Sequence, residues 1–378
     1  MAPRLSRTRM IPMRLRLLRC TAALALVGPT ASSAVEVSLG PQQAVLSDGQ
    51  LGLRYFPDGH LAVLQEGGRT KVFLAAGVRS YRLEGRSLTD LTSVREVLAP
   101  GQPGAFDNGY AGINALWREP SGRLLAFYHA EDQEGMAHTV SQVPGFYCSV
   151  AAAASTDGGN TFEKLGPILT GHLPKNPAGT PDQGCGEPCV QEDPGGKYLL
   201  VYYTSHERAG NRGVQVCLAR CPIAEVAQPA SWRKYHEGAF DEPGLGGRDT
   251  PVLASPFSAA DAVFLHVQYV TAWHRFVMVF CVNAWQEQGA PERSGFYVAL
   301  SGDGLAWPRE HLRQFLPSFT VPSLGRELSW HPTLVLDDKP GDGSHPAGWL
   351  DYGYSKSWGS ELPNTPHYLV RRAIKLGR

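Results

Sequence analysis

The sequence predicts an all-β fold, a five-bladed β-propeller of mostly four-stranded antiparallel blades. Three observations carry this. The 42 Gly and 29 Pro in 378 residues are spread along the whole chain, as many short strands joined by turns require. Apolar strand–turn–strand units recur: residues 113–118 return as 124–129, residues 188–191 as 198–204, residues 263–270 as 275–282, and residues 330–336 as 349–355. Their starts lie 75, 75 and 67 residues apart, with no helical pattern of convincing length between them.

Each element follows from local chemistry. The first hairpin turns at Pro120-Ser121-Gly122, the second at residues 193–196, the third near Ala272-Trp273 and the fourth through a Gly-rich loop. A third apolar strand follows each, at 147–153, 214–219, 296–300 and 367–374, and residues 51–56, 61–65 and 72–83 read as a further unit. Repeated antiparallel units of this size bury their faces most simply by packing radially. The expected blades are 44–103, 104–180, 181–250, 251–322 and 323–378, one domain over residues 35–378. A β-sandwich with an appendage is the alternative.

Residues 1–34 have another character. Six Arg and no acidic residue are followed by an apolar run at 21–27 and by Ser32-Ser33-Ala34, the order of a secretory signal peptide. The alternative is a basic arm, and translation from Met10 or Met13 would shorten the basic section. A secreted or periplasmic protein is expected. Beyond residue 34 the chain holds 29 basic against 35 acidic residues, a formal net charge of −6. That balance offers no phosphate-binding footprint, so nucleic acid is excluded as a partner. No apolar stretch reaches about 18 residues, so no helix spans a membrane. A monomer is expected. Six Cys remain after residue 34 (148, 185, 189, 217, 221 and 281); an even count in an exported chain suggests disulfides, whereas the two Cys-x3-Cys pairs suggest a four-thiolate zinc site.

In such a fold the loops entering each first strand and leaving each second strand open on one face. Those positions hold Asp107-Asn108-Gly109-Tyr110, Asp182, Glu187, Arg248-Asp249, Glu327 and His331 on the entering side. On the leaving side stand His129-Ala130-Glu131-Asp132, Ser205-His206-Glu207, Asn283, Trp285, Lys356 and Trp358. Carboxylates, imidazoles and aromatics gathered at one opening suit glycoside hydrolysis, which needs an acid to protonate the leaving oxygen and a second carboxylate as nucleophile or base. The expected catalytic groups are Asp107 (base or nucleophile), Glu187 (proton donor), Asp249 and Glu327. Asn108, Tyr110, His129, Asp182, His206, Arg248, His266, Trp285, Trp330 and His331 are expected to contact a carbohydrate. No cofactor is required; a structural calcium held by Asp, Asn and backbone oxygens is compatible with such a channel.

Ser155-Thr156-Asp157-Gly158-Gly159-Asn160-Thr161-Phe162 and Ser301-Gly302-Asp303-Gly304-Leu305-Ala306-Trp307 resemble the Asp-box of sialidase-like propellers. The first matches S-x-D-x-G-x-[ST]-[WF] in full; the second carries Ala306 at the hydroxyl position. The resemblance implies turns remote from the substrate, with structural roles for Asp157 and Asp303. In layout the chain also resembles the five-bladed propeller glycosidases of the arabinanase, xylosidase and invertase group. That resemblance implies an Asp on the first innermost strand, matched best by Asp107 in Phe106-Asp107-Asn108-Gly109, a second Asp and a Glu acid. A sialidase would need three arginines on a carboxylate, and only Arg248 and Arg326 are placed for it; a non-catalytic glycan-binding propeller is the other alternative.

Overall fold

The computed structural model describes residues 35–138, 144–207, 213–257, 261–282, 293–318, 327–337, 345–356 and 366–377. Among them are 22 strands and short 3-10 turns, without an α-helix. The described residues begin with β1 (Glu36–Leu39) and β2 (Gln43–Ser47), then form five sheets. Sheet I holds β3 (Ala62–Glu66), β4 (Arg69–Ala76), β5 (Arg79–Gly85) and β6 (Leu91–Leu98); sheet II holds β7 (Tyr110–Arg118), β8 (Leu124–Asp132), β9 (Phe146–Ser155) and β10 (Glu163–Thr170). Sheet III holds β11 (Asp182–Glu192), β12 (Tyr198–Ser205), β13 (Gln215–Pro222), β14 (Arg233–His236) and β15 (Ala239–Pro243). Sheet IV holds β16 (Ala262–Val270), β17 (Arg275–Val282), β18 (Gly295–Ser301) and β19 (Arg313–Pro317), and sheet V β20 (Leu328–Leu336), β21 (Ala347–Ser355) and β22 (Tyr368–Gly377).

All four anticipated hairpins are present, as β7–β8, β11–β12, β16–β17 and β20–β21. Two local expectations differ. Residues 51–56 form no strand, and the single strand expected over 72–83 is a hairpin that turns at Gly77, whose φ of 60° is open to glycine at little cost. Residues 44–47 join the last sheet rather than the first, because β1 and β2 both pair antiparallel with β22. Sheets II and III are continuous, since the first residues of β11 run parallel to β9 from Asp182↔Phe146 to Gly184↔Cys148.

Five buried clusters lie between consecutive sheets. Phe73 and Val97 meet Ile113 and Tyr128; Phe127 and Val150 meet Val201 and Tyr203. Tyr202 and Leu218 meet Phe276 and Phe280; Phe296 and Val298 meet Leu350 and Tyr352. The fifth cluster joins Val45, Leu46 and Leu369 of sheet V to Leu61, Val72 and Leu74 near and on sheet I. Strands buried on both faces need apolar residues at every position, which explains runs such as Leu124-Leu125-Ala126-Phe127-Tyr128 in place of simple alternation.

Two buried ionic contacts recur in register. In sheet II, Tyr128 of β8 donates to Asp107 Oδ2 at 3.2 Å and Lys164 of β10 lies 2.5 Å from the same oxygen. In sheet III, Tyr203 of β12 donates to Asp249 Oδ2 at 3.1 Å with Lys234 of β14 at 3.5 Å. The two match through the third strand: Lys164 pairs with Ala153 and Ala153 with Ala126, two residues before Tyr128, just as Lys234 pairs with Ala219 and Ala219 with Val201, two residues before Tyr203. These clasps fasten second and fourth strands across the sheet face.

The six cysteines after residue 34 are all buried and free, which corrects the expectation of disulfides. Their side chains take part in the cores and in backbone contacts: Cys148 lies 3.2 Å from Gln183 O, and Cys189 donates to Val267 O at 3.6 Å. Burial pushes every one of these thiols up in pKa, Cys185, Cys189 and Cys221 to about 12, so the reactive thiolate is scarce.

The 155–162 turn joins β9 to β10 and is closed by its own side chains. Asp157 Oδ1 accepts from Ser155 Oγ at 2.7 Å and from the amides of Asn160 and Thr161, while Oδ2 accepts from Thr161 Oγ1 at 2.7 Å. Phe162 packs edge-on against Phe73 of sheet I. Between β18 and β19 the amides of Leu305 and Ala306 donate to Asp303, and Trp307 packs on Tyr202. Both aspartates thus serve turns joining third to fourth strands.

Candidate active site

The site is built by a defect repeated in the first strand of successive sheets. Pairing between first and second strands slips at Ile113/Ala115, Gly186/Cys189, Val263/His266 and Trp330/Thr333. Bulges of this kind re-aim a side chain. At three of the four the backbone enters the left-handed region at a non-glycine residue: Glu187 (φ 55°), Phe264 (φ 53°) and His331 (φ 48°). In sheets III and V the next residue is proline (Pro188, Pro332), which has no N–H to give the ladder. Such strain costs on the order of 1–3 kcal/mol per residue and persists where the surroundings enforce it.

The three strained residues and their neighbours interlock. Phe264 N–H donates to Glu187 Oε2 at 3.4 Å, and the Phe264 and His331 rings lie 4.0 Å apart. His331 Nε2 stands 3.7 Å from Asp58 Oδ1, in the segment that leads into β3. The Asp58 carbonyl accepts from the Tyr110 hydroxyl at the start of β7. Tyr110 in turn packs edge-on against His129, near the end of β8. His129 Nε2 is 3.0 Å from Glu131 Oε1, and its Nδ1 is 3.1 Å from the Glu187 amide nitrogen. Three carboxylates on three sheets or their lead-in segments, Asp58, Glu131 and Glu187, therefore surround one aromatic and imidazole cluster. All three act on the buried Tyr110 hydroxyl, which burial first, and then their charge, raises far above the ordinary tyrosine range.

The three environments differ. Burial pushes the Glu187 carboxyl above its ordinary range, opposed by the imidazoles of His331 and His129 and by hydrogen bonds from Thr204 Oγ1 (3.2 Å) and Phe264 N–H. Glu131 has both oxygens engaged, Oε1 by His129 and Oε2 by Gln133 Nε2 at 2.7 Å. Asp58 keeps 28% of its side chain exposed. Beneath them His60 is fully buried; its Nδ1 is 3.1 Å from Pro332 O and its ring lies 5.7 Å from His266 and 5.9 Å from His331. Burial drives His60 well below the usual histidine range and His266 to about 4, so both stay neutral.

Of the residues singled out from sequence, Glu187, Tyr110, His129, His266 and His331 come together here. His206 adjoins them through Phe146, which lies 5.6 Å from its ring and 5.9 Å from His129. Asp107 and Asp249 do not join Glu187. Each is bound on a sheet face by a tyrosine and a lysine, a position second- and fourth-strand residues determine and a sequence cannot display. Glu327 is exposed ahead of β20, beside Tyr354. Arg248 is also exposed, its amide bonded to Glu242, and Arg371 is taken by a two-pronged contact with Asp351. Asn108 closes the β7–β8 end through Ala105 O, Asp132 and the Gln133 amide. Asp182 begins the β11 strip paired with β9. Trp330 is 3% exposed and donates to Pro57 O at 2.8 Å, an anchor between sheet V and the lead-in to sheet I rather than a sugar platform. Trp285, Asn283, Arg326 and Trp358 lie outside the described residues, as does the 1–34 segment.

Sequence reasoning passed over Asp58 as a site residue and named Glu131 only among loop polars. The signal for Asp58 was its place ahead of β3, equivalent to the positions inspected in the other four units. Among the described residues no group of three or more His, Cys, Asp or Glu stands close enough to hold a metal ion, so neither a thiolate zinc site nor an acidic calcium cage is found there. No helix among them is long and apolar enough to cross a membrane.

No family model matches the chain, and no curated protein does. Solved structures do. The α-L-arabinofuranosidase from Lactobacillus brevis is 11% identical with a TM-score of 0.55, over 86% of this chain and 94% of that one. The α-L-arabinofuranosidase Arb93A from Fusarium graminearum, in complex with an iminosugar inhibitor, is 11% identical with a TM-score of 0.51, over 88% and 97%. The family 117 glycoside hydrolase Zg3597 from the marine bacterium Zobellia galactanivorans is 9% identical with a TM-score of 0.52, over 91% and 90%. At such identities the likeness is one of fold: this chain is all-β, and its strand arrangement is similar to that of the propellers on which these hydrolases are built.

Proposed function

We propose that the protein is an exported glycoside hydrolase whose five sheets close into a propeller around a pocket for a poly- or oligosaccharide. Closure is supported by the five inter-sheet cores, the last joining sheet V to sheet I. Export rests on the basic, apolar, small-residue order of residues 1–34. The observation that carries the reaction is the meeting of Asp58, Glu131 and Glu187 at one cluster, with burial pushing the Glu187 carboxyl above its ordinary range.

Glycosidic cleavage asks for one carboxyl able to give a proton and another able to act on the opposite face of the sugar. Glu187 is the donor, because burial pushes its carboxyl above the ordinary range, the direction a general acid needs. Asp58, part-exposed and beside His331, is the nucleophile or base. Glu131 is committed to His129 and Gln133, which fits electrostatic tuning rather than attack. The substrate is a neutral glycan of the furanosidic, arabinan-like kind, consistent with the fold's hydrolase relatives. No step needs a metal.

The test is release of new reducing ends from arabinans, fructans and sialosides by the purified protein, with Glu187→Gln and Asp58→Asn alongside. Turnover on a neutral glycan that falls about 10²–10⁴-fold in Glu187→Gln supports the reading. Sugar binding without any product, unaffected by both substitutions, would establish a glycan-binding propeller instead; preference for sialosides would establish a sialidase.

A further inference from the structure

We propose that His129 is a positioning residue, which holds Glu187 in its strained conformation through its backbone N–H and makes no contact with substrate. The inference rests on the hydrolase reading for its kinetic consequences but not for its geometry.

Both ring nitrogens of His129 are occupied. An amide N–H only donates, so Nδ1, 3.1 Å from the Glu187 amide nitrogen, must present a lone pair. The ring proton then sits on Nε2 and is donated to Glu131 Oε1 at 3.0 Å. Glu131 is itself fixed, since Gln133 Nε2 donates to its other oxygen at 2.7 Å. The chain Gln133–Glu131–His129 thus ends on the one backbone donor that the β11 bulge releases from its ladder. Packing fixes the ring plane, with Tyr110 at 5.5 Å and Phe146 at 5.9 Å, both near perpendicular.

The approach requires glycine. A Cβ on Gly186 would lie 2.1 Å from His129 Nδ1 and 2.5 Å from its Cε1, so any side chain there displaces the imidazole. Gly186, Glu187 and Pro188 then read as one device: room for the ring, the aimed carboxyl, and a following residue without an N–H. With its amide held by sheet II, the Glu187 carboxyl meets Thr204 and the Phe264 amide from the other side.

The titratable groups facing His129 are Glu131 on its own strand, Glu187 on β11, Asp58 ahead of β3, Tyr110 on β7 and Cys148 on β9, with His206 beyond Phe146. Burial works against the imidazolium, but Glu131, Glu187 and Asp58 together raise the His129 pKa above the usual value. A second proton would occupy Nδ1 and set two donors against each other, so the hold on Glu187 weakens as pH falls through that raised value.

Two measurements decide it. Nitrogen NMR of the wild-type imidazoles, which needs no substrate, should show His129 with a protonated Nε2 and an unprotonated Nδ1 at a pH above its raised pKa; a protonated Nδ1 there overturns the proposal. In kinetics, His129→Leu should lower kcat about tenfold to a hundredfold with KM little changed. His129→Asn, whose Oδ1 can stand in for Nδ1 as acceptor, should recover most of that loss without the decline at low pH. A His129→Leu enzyme with unchanged kcat, or with KM raised alone, overturns the positioning role. An active Glu187→Gln enzyme would instead overturn the assignment of the acid and leave the tautomer result standing.

Discussion

Glu187 is the residue on which the proposed chemistry turns. Its pKa is raised, chiefly by burial, so turnover should fall as pH rises through the folded-state value. The stability sign follows. The folded state holds this proton more tightly than the unfolded chain, so the group's contribution is complete below the ordinary value of 4.5 and is lost as pH rises through the folded one. Glu187→Gln should therefore raise the melting temperature at neutral pH while removing turnover, with a gain that shrinks on acidification; a variant less stable at pH 7 than the parent would contradict the burial argument. Asp157 has the reverse sign. Burial would raise it, but bonds from Thr161, Ser155 and the turn amides hold it far below the ordinary carboxylate range. Its contribution is present above the ordinary value and declines as pH falls through the folded one. Asp157→Ala should cost about 1 kcal/mol at neutral pH, less in acid, and leave kcat untouched.

At the scale of the element, the repeated clasps separate structural from catalytic acids. Lys234 is fully buried and also donates to Thr170 O and Gly247 O, whereas Lys164 keeps 28% of its side chain exposed. Asp249→Asn leaves an ammonium buried without its counter-charge and should cost about 3–5 kcal/mol. Asp107→Asn should cost less, because Lys164 can turn to water. Both variants should keep the parent kcat per folded molecule, measured by chemical denaturation and by turnover on the same samples. Loss of kcat in Asp107→Asn without loss of stability would return Asp107 to the catalytic group. The hairpins were legible because turn chemistry and apolar runs are local properties of the chain. The bulges were legible only in part. Glu187-Pro188 and His331-Pro332 hint at an interrupted ladder, but Phe264-Leu265 carries no such mark, and its positive φ is imposed by the packing around it.

For the whole molecule, the fifth sheet is completed by the other end of the chain. Glu36 pairs with Gly377 and Ser47 with Tyr368, and Leu46 lies in the core shared with sheet I. Deleting residues 36–47 should uncover the β22 edge, open that core and replace one cooperative thermal transition with a broad, aggregating one; an unchanged single transition would show that sheet V stands without these strands. The sequence by itself determined the strand-rich content, the four hairpins and their turns, since each depends on neighbours a few residues away. Only the tertiary structure decided that Asp58 and Glu131, rather than Asp107 and Asp249, share a cluster with Glu187, and that six cysteines stay unpaired. Those outcomes depend on which side of a sheet a residue faces and on how one sheet packs against the next, and the chain encodes such distances only through the assembled core.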